Sequence, residues 1–286
     1  METTGIFVIH KVDIKIAKMN EPIYLIPFGD IHRSSPMCHV DKWKEFLAWA
    51  KNKKRTLFLG MGDYDDLASA SERKVLINRD LHDSTTKTIS DLYKSHTDRL
   101  VKEISFMNGS LIGLMEGNHY GEFPNGTTTT QRMCDLLDTK YLGCNTFVRL
   151  AFKYSTNSQF IDIWAHHGKG ASRLIGGSLN RVQQMGESAE ADIYLMGHDH
   201  KKSVGMMDKL VLSDTGKGRD LKLHHRKQLY IRTGSFLKGY ENNKVSYVAD
   251  MALNPTNLGV VKIEITPKRD RKEGQERFYL DLHASI

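Results

Sequence analysis

The sequence has few cysteines and no long apolar run. These two features argue against a disulfide-rich protein and against a membrane-spanning one. Its cysteines are Cys38, Cys134 and Cys144, an odd number with no C-x-x-C pair. They therefore indicate neither a disulfide framework nor a thiolate zinc site, and we expect reduced thiols in a cytoplasmic protein. No run approaches the roughly eighteen apolar residues of a membrane span, and the first thirty residues lack the pattern of a secretory signal. We therefore expect no membrane association.

A strong excess of one charge is also lacking. The 286 residues include 41 lysines and arginines against 34 acidic residues, which gives a net charge of +7 and a pI near 9.1. This surplus would help to recruit an anionic partner such as a phosphate ester, but it indicates nucleic-acid binding only weakly. A hydrophobic content of 40% is ample for a packed core. No repeat or linker interrupts the chain, so we expect one domain over residues 1–286.

Five short stretches share one pattern, an apolar run followed by Gly, Asp, Asn or His. An apolar run predicts a buried strand, so the polar residues are predicted at the carboxyl ends of strands, where open α/β sheets bind ligands. Their anchor residues are 33, 55, 49 and 31 positions apart, which leaves room for the crossover that parallel strands require. The motifs, in order, are G-D-x-H from Gly29, G-D-x-x-D from Gly62, G-N-H from Gly117, H-G from His167 and G-H-x-H from Gly197.

Between and beyond these motifs the pattern predicts further helices and strands. Residues 67–83 are interpreted as a loop and short helix near the site, and residues 168–177 as either a flexible connector or a mobile wall beside it. A polar loop over 213–226 and an exposed turn over 268–277 are also predicted. The other predictions are helices over 39–52, 84–106 and about 130–139, and strands over 6–16, 146–153, 159–165, 228–232, 259–265 and 278–282.

The ordered motifs from Asp30 to His200 resemble those of the calcineurin-like metallophosphoesterase superfamily. The resemblance implies an α/β fold, a four-layer α/β/β/α sandwich, and a hydrolase that attacks a phosphoester with a metal-bound hydroxide. It implies a first metal ion held by Asp30, His32 and His200, a bridging Asp63, and a second ion held by Asn118, His167 and His198. His166 is left open, either as a ligand or as a residue supporting the ligands.

The chemistry of these side chains suits a pair of divalent cations. Two such ions, roughly 3.5 to 4 Å apart, neutralise the charge of a phosphate ester and hold a deprotonated water in line for attack. Mixed oxygen and nitrogen donors without a thiolate suit Mn, Fe or Zn better than Ca or Mg, and we expect Mn first. If the segment around Asp199 is extended, the imidazoles of His198 and His200 point the same way and Asp199 faces away.

His119 and Asp66 are predicted to act on the substrate rather than on the metals. In similar enzymes the His after the Asn protonates the leaving oxygen or stabilises the phosphoryl group. Asp66, three residues after the bridging Asp63, would orient that imidazole and favour its charged form. We therefore expect His119 and Asp66 to be the catalytic pair.

Two departures from the family bear on the substrate. Leu67 and Ala68 stand where phosphoprotein phosphatases usually have Arg-Gly, and Tyr120 stands where they have an acid. Tyr120 either stacks on a base or packs under the site, so Asn118, His119 and Tyr120 are the predicted substrate-binding residues. Together with the positive charge, this favours a phosphodiesterase acting on nucleic acid or nucleotides. A phosphomonoesterase and an inactive nucleic-acid-binding protein remain as alternatives.

Overall fold

The computed structural model describes residues 7–77, 81–214, 221–272 and 275–286. These residues form two β sheets and six α helices. The strands are β1 (Phe7–Lys15), β2 (Ile23–Phe28), β3 (Thr56–Gly60), β4 (Leu111–Leu114), β5 (Asn145–Tyr154), β6 (Asn157–His166), β7 (Ile193–Met196), β8 (Lys202–Asp214), β9 (Leu221–Ser235), β10 (Gly259–Val260), β11 (Lys262–Lys272) and β12 (Gln275–Ser285). The helices are α1 (Val40–Asn52), α2 (Ala70–Ile77), α3 (Asp83–Ile104), α4 (Thr129–Leu137), α5 (Ile175–Ser188) and α6 (Tyr247–Asp250).

Parallel pairing brings the motif-bearing strand ends together. The five-stranded sheet has the order β12-β11-β2-β3-β4, and β2, β3 and β4 run parallel. The seven-stranded sheet has the order β1-β5-β6-β7-β9-β10, with β8 also paired to β9, and β6, β7 and β9 run parallel. Each sheet therefore presents neighbouring carboxyl ends at one edge, as the sequence pattern predicts.

Three apolar clusters hold these elements together. The largest joins the two sheets, with Leu59 and Ile263 from one and Ile163 and Leu229 from the other. The second packs α1, α3 and α4 on the five-stranded sheet around Trp43, and the third packs α5 on the seven-stranded sheet. Because burying one large apolar side chain is worth about 1.5 to 3 kcal/mol, these clusters dominate the stability of the fold.

Most predicted elements are present, and local capping explains some of their bounds. Helix α4 begins with a capping box in which the Thr128 hydroxyl accepts the Gln131 N–H and the Gln131 side chain accepts the Thr128 N–H. Helix α1 begins after His39, whose Nδ1 accepts the Lys42 N–H. No helix of the described ranges has both the length and the hydropathy to cross a bilayer.

Two predictions after His200 are wrong. Residues 221–226 are not a loop, because they continue β9 in an antiparallel ladder with β8 that pairs Leu212 with Leu223. Most of the predicted turn over 268–277 is strand in β11 and β12, where Lys268 Nζ lies 2.6 Å from Asp281. In both cases cross-strand pairing overrides a charged and polar composition. Lys217 and Arg219 of the predicted loop lie outside the described residues.

Candidate metal centre

The predicted ligands sit directly after strands of both sheets. Asp30, Asp63 and Asn118 follow β2, β3 and β4, whereas His167 follows β6 and the last two histidines follow β7. The two sheets share a core, so these strand ends lie side by side. The structure brings all seven predicted ligands into one cluster with two parts.

The first part consists of Asp30, His32 and His200, whose ligand atoms all lie within 4.8 Å of one another. The Nε2 atoms of His32 and His200 are 3.2 Å apart, and His200 Nε2 is 3.5 Å from Asp30 Oδ1. Asp30 is fully buried and His32 is 3% exposed. Two imidazole nitrogens facing each other beside a buried carboxylate form the donor set of a cation site.

The second part consists of Asp63, His167 and His198, grouped within the same 4.8 Å. The Asn118 carboxamide oxygen joins them, 2.9 Å from His167 Nε2 and 2.7 Å from His198 Nδ1. His167 Nδ1 donates to the Met61 carbonyl at 2.7 Å, which leaves Nε2 as the nitrogen that faces the cluster. A backbone carbonyl behind an imidazole is a common way to orient a metal-binding histidine.

Asp63 lies between the two parts. Its Oδ1 accepts the backbone N–H groups of Asn118 and His119 at 2.6 and 2.9 Å. Its Oδ2 is 3.2 Å from His167 Nε2 and 3.8 Å from His32 Nε2. One carboxylate oxygen therefore faces an imidazole of each part, which is the placement that a bridging ligand requires.

Five of these residues have left-handed backbone conformations. Asp30, His32, Asp63, His198 and His200 have φ between +46° and +70°. Such conformations cost about 1 kcal/mol or more for a residue with a side chain, and they concentrate at functional sites. The condition that the segment around Asp199 is extended is therefore not met, although the two imidazoles still reach adjacent parts of the cluster.

Asp199 does face away from the cluster. Its carboxylate accepts a hydrogen bond from the Ser178 hydroxyl of α5 and lies 3.6 Å from Arg232 Nη2. Arg232 is fully buried and donates to the carbonyls of Ser178 and Gly197. These contacts tie the loop after β7 to α5.

Burial and neighbouring charges shift the pKa values of the side chains in the cluster, in some cases in opposite directions. Burial raises the pKa of Asp30, with the His167 charge opposing and the Asp63 charge adding. Burial would also raise the pKa of Asp63, but the adjacent His167 and then His32 hold it well below its usual range. Burial lowers the pKa of His198 to about 4. Neighbouring side chains whose pKa values shift in opposite directions suit a bound cation, because the cation would replace protons shared among the ligands.

The burial of His32 leaves one of its two ring nitrogens without a hydrogen bond among the described residues. Its Nδ1 has no hydrogen-bond partner among the described residues, and the nearest carboxylate oxygen, Asp66 Oδ1, is 3.6 Å away. A buried polar atom left without a partner costs about 1 to 3 kcal/mol unless something else compensates. This nitrogen faces Asp66, whereas Nε2 faces the cluster, so the fit to divalent cations rests on the donor set and its burial.

His119 and Asp66 form a pair at the edge of the cluster. His119 Nδ1 is 2.7 Å from Asp66 Oδ1, and the His119 side chain is 29% exposed. The hydrogen bond from His119, and then the nearby His32 imidazole, hold the pKa of Asp66 well below its usual range. Asp66 is therefore a carboxylate that orients His119 and leaves His119 Nε2 for a bound molecule.

His166 lies outside both parts of the cluster. Its Nδ1 accepts the Gly168 N–H at 2.7 Å, so the imidazole supports the turn that follows His167. His96, which the apolar pattern predicts to be a packed and hydrogen-bonded residue, lies with its Nδ1 3.1 Å from Asp65. Asp65 also accepts the Ser34 and Asp66 N–H groups at 2.6 and 3.0 Å.

Arg73 is the important residue that the sequence pattern does not reveal. It is 6% exposed, and its Nη1 donates to the carbonyls of Ala68, Asn118 and Tyr120 at 2.6, 2.7 and 3.1 Å. Its guanidinium lies 3.6 Å from the centre of the Tyr120 ring, which is itself 6% exposed. Tyr120 thus packs under the site with one ring face covered. Nothing in the pattern of residues 67–83 distinguishes Arg73 from its neighbouring cations.

Comparisons with known proteins give distant likenesses. No model of a protein family matches the chain, and no curated protein matches it. Vacuolar protein sorting 29 from Cryptosporidium parvum is similar in structure, with a TM-score of 0.37 and 13% identity over 92% of this chain and 99% of that one. A conserved uncharacterised protein from Streptococcus pneumoniae, a predicted phosphoesterase, is similar with a TM-score of 0.31 and 12% identity over 91% and 99%.

The motifs occur in the order Asp30, Asp63, Asn118, His167 and His198, and the side chains that they carry converge. In both respects the chain resembles the calcineurin-like metallophosphoesterases.

Proposed function

We propose that the protein is a phosphoester hydrolase that depends on two divalent metal ions and acts on a phosphodiester of nucleic acid or of a nucleotide. The observation that carries the proposal is the position of Asp63, with one oxygen directed at imidazoles of both parts of the cluster. The proposal includes the four-layer α/β/β/α arrangement, one domain over residues 1–286 and a cytoplasmic location. Three unpaired cysteines support a reducing compartment.

In this proposal Asp63 would help to hold both ions, since its Oδ2 faces imidazoles of both parts of the cluster. Manganese is the first choice, and iron or zinc also fits these nitrogen and oxygen donors. When bound, the ions supply charge neutralisation and a water that is acidic at neutral pH. The first ion would take Asp30, His32 and His200, and the second would take Asn118, His167 and His198.

The chain's own residues supply the rest of the chemistry. His119, hydrogen-bonded through Nδ1 to Asp66, protonates the leaving oxygen from Nε2. Arg73 holds the backbone that carries Asn118 and His119 through three carbonyls, so that both side chains keep their position. The buried ligands exclude bulk water from this side of the cluster.

The use of Arg73 supports a diester rather than a monoester. A terminal phosphate carries a second negative charge, which phosphatases of this kind commonly meet with an arginine. Leu67 and Ala68 follow Asp66 here, and Arg73 is committed to backbone carbonyls beneath the site. A diester, with one charge on the scissile phosphate, matches this environment better.

The test separates metal binding from catalysis. Asp63→Ala is expected to lose bound metal and hydrolysis of bis(p-nitrophenyl) phosphate together, because both parts lose a ligand. His119→Ala is expected to keep its metal, measured by plasma mass spectrometry, and to lose about 10²- to 10³-fold in kcat. Metal-free His119→Ala protein would contradict this division of roles. Hydrolysis that persists in a chelator would refute the metal-dependent enzyme, and a faster rate on p-nitrophenyl phosphate would indicate a monoesterase.

A further inference from the structure

A cavity opens beside the candidate metal centre, on the α5 side of the seven-stranded sheet. Its volume is about 690 Å³, which is in the range of small-ligand sites. His166 and Met196, paired across the ends of β6 and β7, form one wall. His167 is the next residue after one of them, and His198 lies two residues after the other. The cavity and the metal centre therefore share the same edge of the sheet.

The lining of this cavity is basic. It includes Lys169 and Arg181 together with the polar side chains of Ser172, Asn180 and Gln184, and no carboxylate of the described residues lines it. Neither cation lies within ion-pair distance of an acidic group in the described ranges. Unpaired cations among neutral hydrogen-bond donors are suited to an anion such as a phosphodiester.

The basic wall is held in place by hydrogen bonds. Arg181 Nη1 donates to the Lys169 carbonyl at 2.8 Å, which couples α5 to the glycine-containing segment that carries Lys169. Lys201 Nζ donates to the Ser172 carbonyl, and Asn254 Nδ2 donates to the Arg173 carbonyl at 3.1 Å. Of the two interpretations of residues 168–177, these contacts favour a wall over a loose connector.

We propose that this cavity is a subsite for a single-stranded nucleic acid, in which Lys169 and Arg181 bind the phosphate next to the scissile one. The proposal rests on the proposed function, because it takes the metal centre as the place where the strand is cut. A cavity of this size admits a nucleotide of a flexible strand, whereas the two strands of a duplex would stay outside it. The polar side chains of Asn180 and Gln184 add neutral donors for the sugar and the base.

The experiment compares two double variants of equal charge. Lys169→Gln with Arg181→Gln removes the cations of the cavity, and Lys44→Gln with Lys102→Gln removes two exposed cations from α1 and α3. Binding of a short fluorescein-labelled oligothymidylate is measured by anisotropy in chelator, over a series of salt concentrations. Hydrolysis of the same oligonucleotide and of bis(p-nitrophenyl) phosphate is measured with manganese.

The cavity variant is expected to bind the oligonucleotide about tenfold more weakly, with a salt slope shallower by about 0.7 for each phosphate that the protein no longer neutralises. Its kcat/KM for bis(p-nitrophenyl) phosphate should stay within about twofold of wild type, because that substrate has no second phosphate. The control variant should match wild type on both substrates. Together these results would support the subsite.

Other outcomes overturn it. Equally weakened binding in both double variants would mean that the effect comes from general surface charge. Unchanged binding in the cavity variant, or no oligonucleotide binding by the wild type, would mean that the cavity does not bind the strand. Loss on the small diester as well would mean that the metal centre is disturbed. If the wild type hydrolyses neither substrate but its binding still depends on Lys169 and Arg181, the proposed function fails, and the cavity is a nucleic-acid-binding site without an adjacent scissile phosphate.

Discussion

Glu116 is a fully buried carboxyl group two residues before Asn118. It accepts hydrogen bonds from the hydroxyls of Thr128, Thr130 and Tyr141, with the Thr128 oxygen at 2.6 Å and the Tyr141 oxygen at 3.1 Å. Burial nevertheless raises the pKa of Glu116 from 4.5 to about 7. Between pH 4.5 and about 7 the folded protein therefore holds a proton that the unfolded chain has already released.

This proton gives a pH-dependent stability with a defined sign. As the pH rises from 4.5 to about 7, Glu116 costs the folded state stability, because the unfolded chain is ionised first. Glu116→Gln removes this cost, so the variant should gain stability relative to wild type across that window, by at most about 3 kcal/mol. Urea unfolding at several pH values measures the difference. Glu187→Gln, on the exposed surface of α5, is the control, and a difference that stays constant with pH would contradict the assignment.

For single residues, the sequence predicts which side chains form the candidate site better than it predicts which groups they contact. The spacing of the motifs is enough to select Asp30, Asp63, Asn118 and the histidines, and the structure brings them together. Arg73 and Glu116 could not be selected, because their importance comes from carbonyls and hydroxyls that are distant in the sequence. A lone arginine or glutamate carries no periodic signal.

The turn after β4 shows how closely neighbouring elements are fitted. A Cβ at Gly117 would lie 2.0 Å from Asp63 Oδ1 and 2.3 Å from the Asp63 nitrogen. The turn after β7 is similar, because a Cβ at Gly197 would lie 2.7 Å from Asp30 Oδ2. Gly117 of G-N-H and Gly197 of G-H-x-H are thus required because a carboxylate that follows another strand occupies the space of a Cβ.

Gly117→Ala is therefore expected to displace Asp63 and to lower metal affinity by about tenfold or more. A loss of this size is typical when a residue that orients a metal ligand is changed. Isothermal titration with manganese measures this. The matched control is Gly176→Ala in α5, where an added Cβ meets nothing within 4 Å. The control should bind metal as wild type does, with equal or slightly greater stability. Equal affinities in the two variants would show that Asp63 is not positioned by this turn.

Among the elements, prediction succeeds where a local pattern is strong. Helix α3 has a long apolar stripe that includes Tyr93 and Leu100, and the strands before each motif are short apolar runs. Helix α5 is not predicted, since Gly176 and Gly177 lie in its first turn and weaken the signal. The predicted strand over 228–232 lies within β9, but β8 and residues 221–227 escape prediction, because polar strands are defined by their partners rather than by their own composition.

At the scale of the whole molecule, the candidate centre joins the two sheets. Asp30, Asp63 and Asn118 come from the five-stranded sheet, and His167 and the last two histidines come from the other. The order of motifs is enough to predict this meeting of strand ends. The predicted strands over 259–265 and 278–282 fall largely within β11 and β12, but the pairing of β11 with β2, which completes the five-stranded sheet, is long-range and no single segment encodes it.

A cation bound between the sheets should stabilise the entire fold. At a metal concentration of about 100 times Kd, binding to the folded state alone adds about 2.7 kcal/mol to the free energy of unfolding. The Tm measured by calorimetry should therefore rise on addition of manganese and fall in chelator. Asp30→Asn with Asp63→Asn should abolish the response, whereas Asp138→Asn, at the end of α4, should keep it. An unchanged Tm in wild type would argue against a metal bound at this junction.

The left-handed backbone at five ligand positions has a consequence for how such a sequence is maintained. Glycine adopts that conformation without strain, so glycine at Asp30, His32, Asp63, His198 or His200 would relax the chain locally while removing a ligand. Stability and activity therefore favour different residues at the same five places. Variants selected for heat resistance alone, in a chelating medium, should accumulate glycine there and become stable proteins without the candidate metal centre.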